Sequence, residues 1–405
     1  MPTKKENSGG GCGSIPFSVI LLFLGLGYWG FTRLDDINIK AYVLDNISTL
    51  AADLPGKDFF LSELPVPEPV GSLTASKPPT PTVSMQLPPI EMPAASPQPP
   101  DAPVTLPPAW EAKEIRGIYL SRYQATNNAG EQMIRDRVRY YKQQGINTII
   151  HGVWGNGCTM YQSQVMQQTL GYSSCPNLFQ DQWLDWLIDE AHSQGMQVHA
   201  YFEKGIKLDE NSPIFDLATA KRWFVPGVDK TYPGVDHYLL DVENPEVAQY
   251  FTEISAEFVK RYDTIDAVQW DDYVGYHDEL PGKVDRTAAL TQFMKQIHAA
   301  VSQANPNVSF DLCHHNPYWG KRYFDADWQN WTIDRAFIQV YNDANFDVEL
   351  DYVEQYQGIA ISDTQFGRLD GLARNPNVKS VLLFPSVGKP EETAARFKQA
   401  VDQYK

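Results

Sequence analysis

The chain has 405 residues and sets 33 Lys and Arg against 50 Asp and Glu, a formal net charge of −17. That balance disfavours nucleic acid or an anionic membrane surface as the main partner. Its length suits two or three domains, or one large domain with appendages; 15 of its 29 prolines lie between Pro65 and Pro108, which selects the latter.

Residues 1–14 read as a short cytoplasmic tail carrying Lys4 and Lys5. Residues 15–32 carry no charge and include Val19-Ile20-Leu21-Leu22-Phe23-Leu24. A span of this length is near the lower limit for crossing a bilayer, and Tyr28 and Trp29 would sit at the far interface. Arg33, Asp35 and Asp36 come next, without a small-x-small cleavage site, so an uncleaved signal anchor is expected rather than a removed signal peptide. The two lysines put the N-terminus inside and the rest outside, giving a single-pass protein of the plasma (inner) membrane with an extracytoplasmic or periplasmic domain. Residues 33–64 form a short juxtamembrane region. Residues 65–110 are too proline-rich and too poor in apolar periodicity to fold, and read as an extended spacer.

Residues 111–405 alternate short apolar runs with amphipathic stretches, the mark of a parallel α/β domain. Eight strands are expected, at 116–121, 147–153, 197–203, 265–271, 309–315, 335–341, 358–362 and 379–385. Each is followed by a plausible helix. In Asn244-Pro245-Glu246 the Asn caps, the Pro takes the first helical position and the Glu favours the positive end of the dipole. Gly145 and Gly195 each end a helix just before a strand. Eight units favour a closed (β/α)8 TIM barrel over an open sheet, and no glycine-rich phosphate loop follows the first strand. The connections at about 155–179 and 204–243 are long and lie on the C-terminal face, where barrel active sites sit. Cys158 and Cys175 bracket the first and are a candidate disulfide in an oxidising compartment. No Cys/His spacing suggests a structural metal site, and no cofactor is implied.

Alternation divides the strand residues into two faces. Val198, Ala200 and Phe202, Val268 and Trp270, Phe310 and Leu312, and Ile338 and Val340 should face the helices. His199, Tyr201 and Glu203, Gln269 and Asp271, Asp311, Cys313 and His315, and Gln339 and Tyr341 should then face the barrel axis. Such polar side chains are costly inside a barrel unless they pair with one another or with a ligand. Asp271-Asp272 at a strand end admits three readings: acid/base or nucleophilic chemistry, divalent metal binding, or simple turn capping. Glu203 at the neighbouring strand end favours the first, because glycosidic hydrolysis needs two carboxyl groups flanking one bond. Aromatics at strand ends, among them Trp154, Tyr201, Tyr273, Tyr276, Trp319 and Tyr341, could pack on sugar faces.

These residues resemble the bacterial glycosyl-hydrolase-like family ten. Arg116-Gly117-Ile118-Tyr119-Leu120 is similar to its opening motif. Gly145-Ile146-Asn147-Thr148, His199-Ala200-Tyr201-Phe202-Glu203-x-Gly205, Gln269-Trp270-Asp271-Asp272-Tyr273 and Gln339-Val340-Tyr341 follow in order, over about 114–387. The resemblance implies a barrel with endo-acting glycosidase activity, in some members towards peptidoglycan strands freed of stem peptides. It implies Asp271 and Asp272 as catalytic carboxylates with Glu203, a position where other members carry Asn. The expectation is a membrane-anchored glycoside hydrolase acting on a polysaccharide, with cell-wall glycan the suspected partner. Arg122, Trp154, His199, Tyr201, Gln269, Tyr273, His315, Trp319, Gln339 and Tyr341 would bind substrate or orient the carboxylates. The alternative is a barrel that grips carbohydrate as a wall-tethered scaffold without cleaving it.

Overall fold

The computed structural model describes residues 105–120, 126–175, 177, 179–225, 238–277, 280, 284–387 and 389–403. The expected tail, apolar span and most of the spacer lie outside these residues, as does Arg122. Among the described residues no helix is long and apolar enough to cross a membrane.

The strands are β1 (Ile115–Leu120), β2 (Thr148–Gly155), β3 (Cys158–Thr159), β4 (Gln197–Phe202), β5 (Lys207–Leu208), β6 (Tyr238–Leu239), β7 (Ala267–Asp271), β8 (Ser309–His314), β9 (Arg335–Gln339), β10 (Gly358–Ser362) and β11 (Ser380–Phe384). Eight pair in parallel in the order β1-β11-β10-β9-β8-β7-β4-β2, and β1 pairs β2 to close the ring. The eight expected strands are these eight, displaced by at most a few residues. β3 folds back antiparallel on β2, and β5 pairs antiparallel with β6. Both short pairs lie in the two long connections on the C-terminal face.

Local signals position the helices. Asn244 Oδ1 accepts the Glu246 N–H at 3.0 Å, so Asn244 caps the helix Pro245–Arg261. Val247, Phe251, Ile254 and Phe258 form its buried stripe. Gly145 (φ 84°) and Gly195 (φ 64°) take the left-handed conformation just before β2 and β4. The barrel body begins earlier than the composition suggests: Leu106 and Trp110 are buried, and the Trp110 ring meets Phe397 edge-on at 5.2 Å. Proline content made this stretch read as spacer, but the short helix Pro108–Glu111 docks it on the wall.

The outward set holds. Val198, Ala200, Phe202, Val268, Trp270, Phe310, Leu312, Ile338 and Val340 join the large core between strands and helices. Tyr119, Ile150, Cys313, Phe337, Ala360 and Leu382 fill the barrel interior, with Tyr201 packed on them. An ionic plug lies lower in the barrel: Arg335 donates to Asp311 through Nε at 2.9 Å and a terminal nitrogen at 2.8 Å. The Ser309 hydroxyl adds a bond at 2.6 Å, and His199 Nδ1 lies 3.5 Å from the same carboxylate. Here the Asp311 carboxylate is satisfied by Arg335 and Ser309 rather than by a ligand.

Candidate active site

Asp271 is the last residue of β7, and its side chain turns back over the following turn. Oδ1 accepts the Tyr273 N–H at 3.0 Å, and Oδ2 accepts the Tyr201 hydroxyl. Turn capping is therefore real, but it does not exhaust the residue. Asp271 is 5 % exposed. Burial, followed by the charge of Asp272, pushes its carboxyl well above the ordinary range. The bonds from Tyr201 and Tyr273 and the charge of Lys207 oppose that rise without cancelling it.

Asp272 points the other way, towards the ends of β8 and β9. Gln339 Nε2 donates to its Oδ1 at 3.2 Å, and His315 Nε2 lies 3.8 Å from Oδ2. Two carboxylates adjacent in sequence thus face different walls of one mouth, as strand alternation requires. Glu203 sits one residue past β4 and is partly buried. Its Oε2 would come within 2.8 Å of a Cβ at Gly152, which places it over the end of β2. Its charge helps raise the Tyr201 and Tyr273 hydroxyls.

The ends of β4 and β7 are locked together at Gly205. Its φ is +44°, and a Cβ there would lie 2.5 Å from the Tyr273 carbonyl oxygen. Only glycine allows this approach, which also brings the Ile206 N–H to the Tyr273 carbonyl at 3.1 Å. The same turn carries Lys207, 2 % exposed, with Nζ 3.8 Å from the centroid of the Tyr273 ring. Sequence reasoning passed over Lys207. The available signal was a cation inside the apolar run Ile206-Lys207-Leu208, just after the Glu203-x-Gly205 motif.

Aromatic side chains ring the mouth. Tyr201 and Tyr119 meet edge-on at 5.3 Å, and Phe384 lies 5.9 Å from Tyr119 and 5.5 Å from Tyr341. Tyr341 and Phe384 are both more than a third exposed. Phe384, the last residue of β11, went unnoticed because it ends an uninterrupted apolar strand. After β8, which neighbours β9, Trp319 is 43 % exposed, next to Tyr323 at 4.7 Å and His315 at 6.4 Å. Cys313, opposite Asp271 in the β7–β8 register, is a buried free thiol that burial pushes up to about 12.

Tyr201, Tyr273, His315, Trp319, Gln339 and Tyr341 therefore stand at the mouth with the carboxylates, and three expected ligands do not. Trp154 is fully buried among Phe202, Tyr250 and Phe251, and its Nε1 donates to the Gly205 carbonyl at 3.0 Å. A register shift between Gly152 and Trp154 turns it into the helix layer, where it supports the Gly205 turn from behind. His199 belongs to the plug; burial, then the Arg335 charge, lowers it to about 3, so it is neutral. Gln269 is fully buried in the layer beneath Asp271 and donates to the Tyr119 hydroxyl. Both face the axis as alternation requires, but two residues below the mouth. Tyr276, too, is core, its hydroxyl accepting the Val242 N–H at 2.8 Å. Cys158 and Cys175 form a disulfide with Cα atoms 5.5 Å apart, closing the long connection after β2. Among the described residues no three His, Cys, Asp or Glu side chains converge as a metal-ligand set.

A closed eight-stranded parallel barrel with carboxylates and aromatics at its C-terminal mouth is the architecture on which sequence relatives can be placed. Residues 114–289 match the family model described as Glycosyl hydrolase-like 10. It is 28 % identical over 187 residues to glycosyl hydrolase DigH of Escherichia coli (strain K12), covering 42 % of this chain and 39 % of that one. The Shigella flexneri protein of the same name gives the same values. The chain thus spans about two fifths of the length of the curated relatives it matches. A GH36 alpha-galactosidase of Geobacillus stearothermophilus aligns with TM-score 0.44 and 16 % identity, over 72 % of this chain and 42 % of that one. An alpha-amylase of Lactobacillus plantarum aligns with TM-score 0.47 and 10 % identity, over 73 % and 80 %. At that distance nothing about chemistry transfers.

Proposed function

We propose that the protein is a glycoside hydrolase that cleaves within a polysaccharide, with Asp271 as its general acid. The observation that carries this is Asp271 itself, raised well above a normal carboxyl by burial and by Asp272 at the mouth of the barrel. An acid that protonates a leaving oxygen must still hold its proton as pH approaches neutrality, and apolar burial beside a second carboxylate is how proteins achieve that. Asp272, held by Gln339 and facing His315, is the partner carboxylate, and Glu203 is the second candidate for that part. Tyr201 and the Tyr273 N–H fix the Asp271 carboxyl in one rotamer, so the acid is preorganised rather than found by search.

The rim supports a sugar ligand. Tyr341, Phe384 and Trp319 expose flat faces to which sugar C–H surfaces can pack, with Gln339 and the carboxylates nearby for hydroxyls. The uncharged run 15–32 and the proline-rich stretch 65–110 support a membrane-tethered enzyme outside the plasma membrane, which favours cell-wall glycan as the substrate. The test compares leaving groups in the full chain. Asp271→Asn should abolish turnover of glycan strands yet retain part of the activity on aryl glycosides whose phenolate leaves without protonation. Equal loss on both would remove Asp271 from the acid role, and full activity on glycan would remove it from catalysis.

A further inference from the structure

A cleft opens beside Asp272, between the helices Pro317–Phe324 and Phe346–Tyr356. Trp319 and Glu349 line it, with His315, Gln339, Tyr341 and Asn345. The first two come from different helices yet share one anchor. Asn316, 4 % exposed, donates through Nδ2 to both Glu349 oxygens, at 2.7 and 2.9 Å. Its Oδ1 accepts the Trp319 N–H at 2.9 Å and caps the helix. One buried amide thereby sets the spacing between an exposed indole face and a carboxylate.

A carboxylate only accepts hydrogen bonds and has about four lone-pair sites. Asn316 uses one at each Glu349 oxygen, so the remaining sites are open to groups in the cleft. None of the residues lining this cleft is Lys or Arg, and Asp272 adds a second negative charge just beyond Gln339. Trp319 offers a flat apolar surface and Glu349 an anionic acceptor, fixed to each other before any ligand arrives. That pairing suits a ring with C–H faces and O–H or N–H donors at its edge. It opposes a ring carrying its own carboxylate, which would find like charge and no Lys or Arg.

We propose that this cleft is a sugar subsite that takes a neutral or amine-bearing ring on Trp319, with Glu349 accepting from its hydroxyl or amino groups, and that Glu349 rejects a carboxylate-bearing ring there. Its consequence rests on the proposed glycosidase activity: in a polysaccharide that alternates neutral and acidic sugars, Glu349 sets the register in which the chain is presented to Asp271. Binding itself does not depend on that activity, and the two can fail separately.

The experiment uses the full chain carrying Asp271→Asn, titrated calorimetrically with cellohexaose and with a β-1,4-linked glucuronan hexasaccharide, which has the same linkage but a carboxylate on every ring. Cellohexaose should bind at least about tenfold more tightly, since a bond to a charged acceptor and a like-charge clash each change affinity by about that factor. Adding Glu349→Gln should weaken cellohexaose about tenfold and narrow the difference between the two sugars. Adding Trp319→Ala should weaken cellohexaose without narrowing the difference. Equal affinities in the parent, binding of neither sugar, or a ratio unmoved by Glu349→Gln would each overturn the subsite. A chain that discriminates in this way but hydrolyses nothing would sink the proposed activity and leave the subsite standing.

Discussion

Replacing Asp271 by Asn separates stability from chemistry. The amide keeps the shape of the carboxyl, its Oδ1 can still accept the Tyr273 N–H now at 3.0 Å, and its NH2 can donate to the Tyr201 hydroxyl oxygen. What it removes is a charge that the site does not welcome. In the wild type the folded-state pKa is raised above the unfolded one, mainly by burial and then by Asp272. The sign follows from linkage: the wild type loses stability as pH rises from the unfolded carboxyl value, about 3.9, up to the folded value, and the loss is flat beyond it. Each unit of elevation costs about 1.4 kcal/mol above that window. The variant should therefore track the wild type below the unfolded carboxyl value of about 3.9 and gain on it steadily as pH rises, levelling off above the folded value. Urea denaturation of both chains across that range reads this as a diverging midpoint at constant slope. Parallel stability curves, or a wild type that gains on the variant with rising pH, would refute a destabilised, proton-holding Asp271.

Gly205→Ala should cost about 2 kcal/mol or more, combining a left-handed φ with a Cβ driven into the Tyr273 carbonyl, and activity should fall with stability because the same contact sets the Asp271 turn; urea midpoints and turnover check the pair. Lys207→Met removes a cation that opposes the rise of Asp271, so the pH–rate limb that reports Asp271 should move to higher pH; an unmoved limb would detach Lys207 from the site. Trp154→Ala should cost about 3–5 kcal/mol as a core cavity, while Trp319→Ala should stay within about 0.5 kcal/mol and instead weaken oligosaccharide binding, a contrast that paired denaturation and titration reveal. Reducing the Cys158–Cys175 bridge should lower stability by about 3 kcal/mol, as expected for a loop of its 17-residue separation, measured by melting with and without reductant.

The barrel was legible because its signals are local. Apolar runs, glycine stops and the Asn244-Pro245 cap mark each strand and helix without reference to the rest of the chain. Face assignment was legible too, since alternation has a fixed period: Val198, Ala200 and Phe202 went outward and Tyr201 and Asp271 inward as expected. Height along the barrel was not, because it depends on where each strand sits relative to its neighbours. His199 and Gln269 face the axis but lie a layer too low, and the partner that neutralises the plug, Arg335, is 136 residues from His199. Trp154 escaped for another reason, since a register irregularity after Gly152 breaks the alternation that would have predicted its direction. Glu349 was invisible in sequence because its importance comes from Asn316, 33 residues away on another element. Leu106 and Trp110 show the limit of composition as a guide: a proline-rich stretch still ends in a docked aromatic.

The central claim is that Asp271 carries glycosidic cleavage, and release of reducing ends from peptide-free glycan strands by the full chain tests it most directly. The wild type should generate new reducing ends within the strands, and Asp271→Asn should generate none while still sedimenting with the same glycan. Turnover by Asp271→Asn at the wild-type rate, or a wild type that binds the strands and leaves them whole, would contradict it.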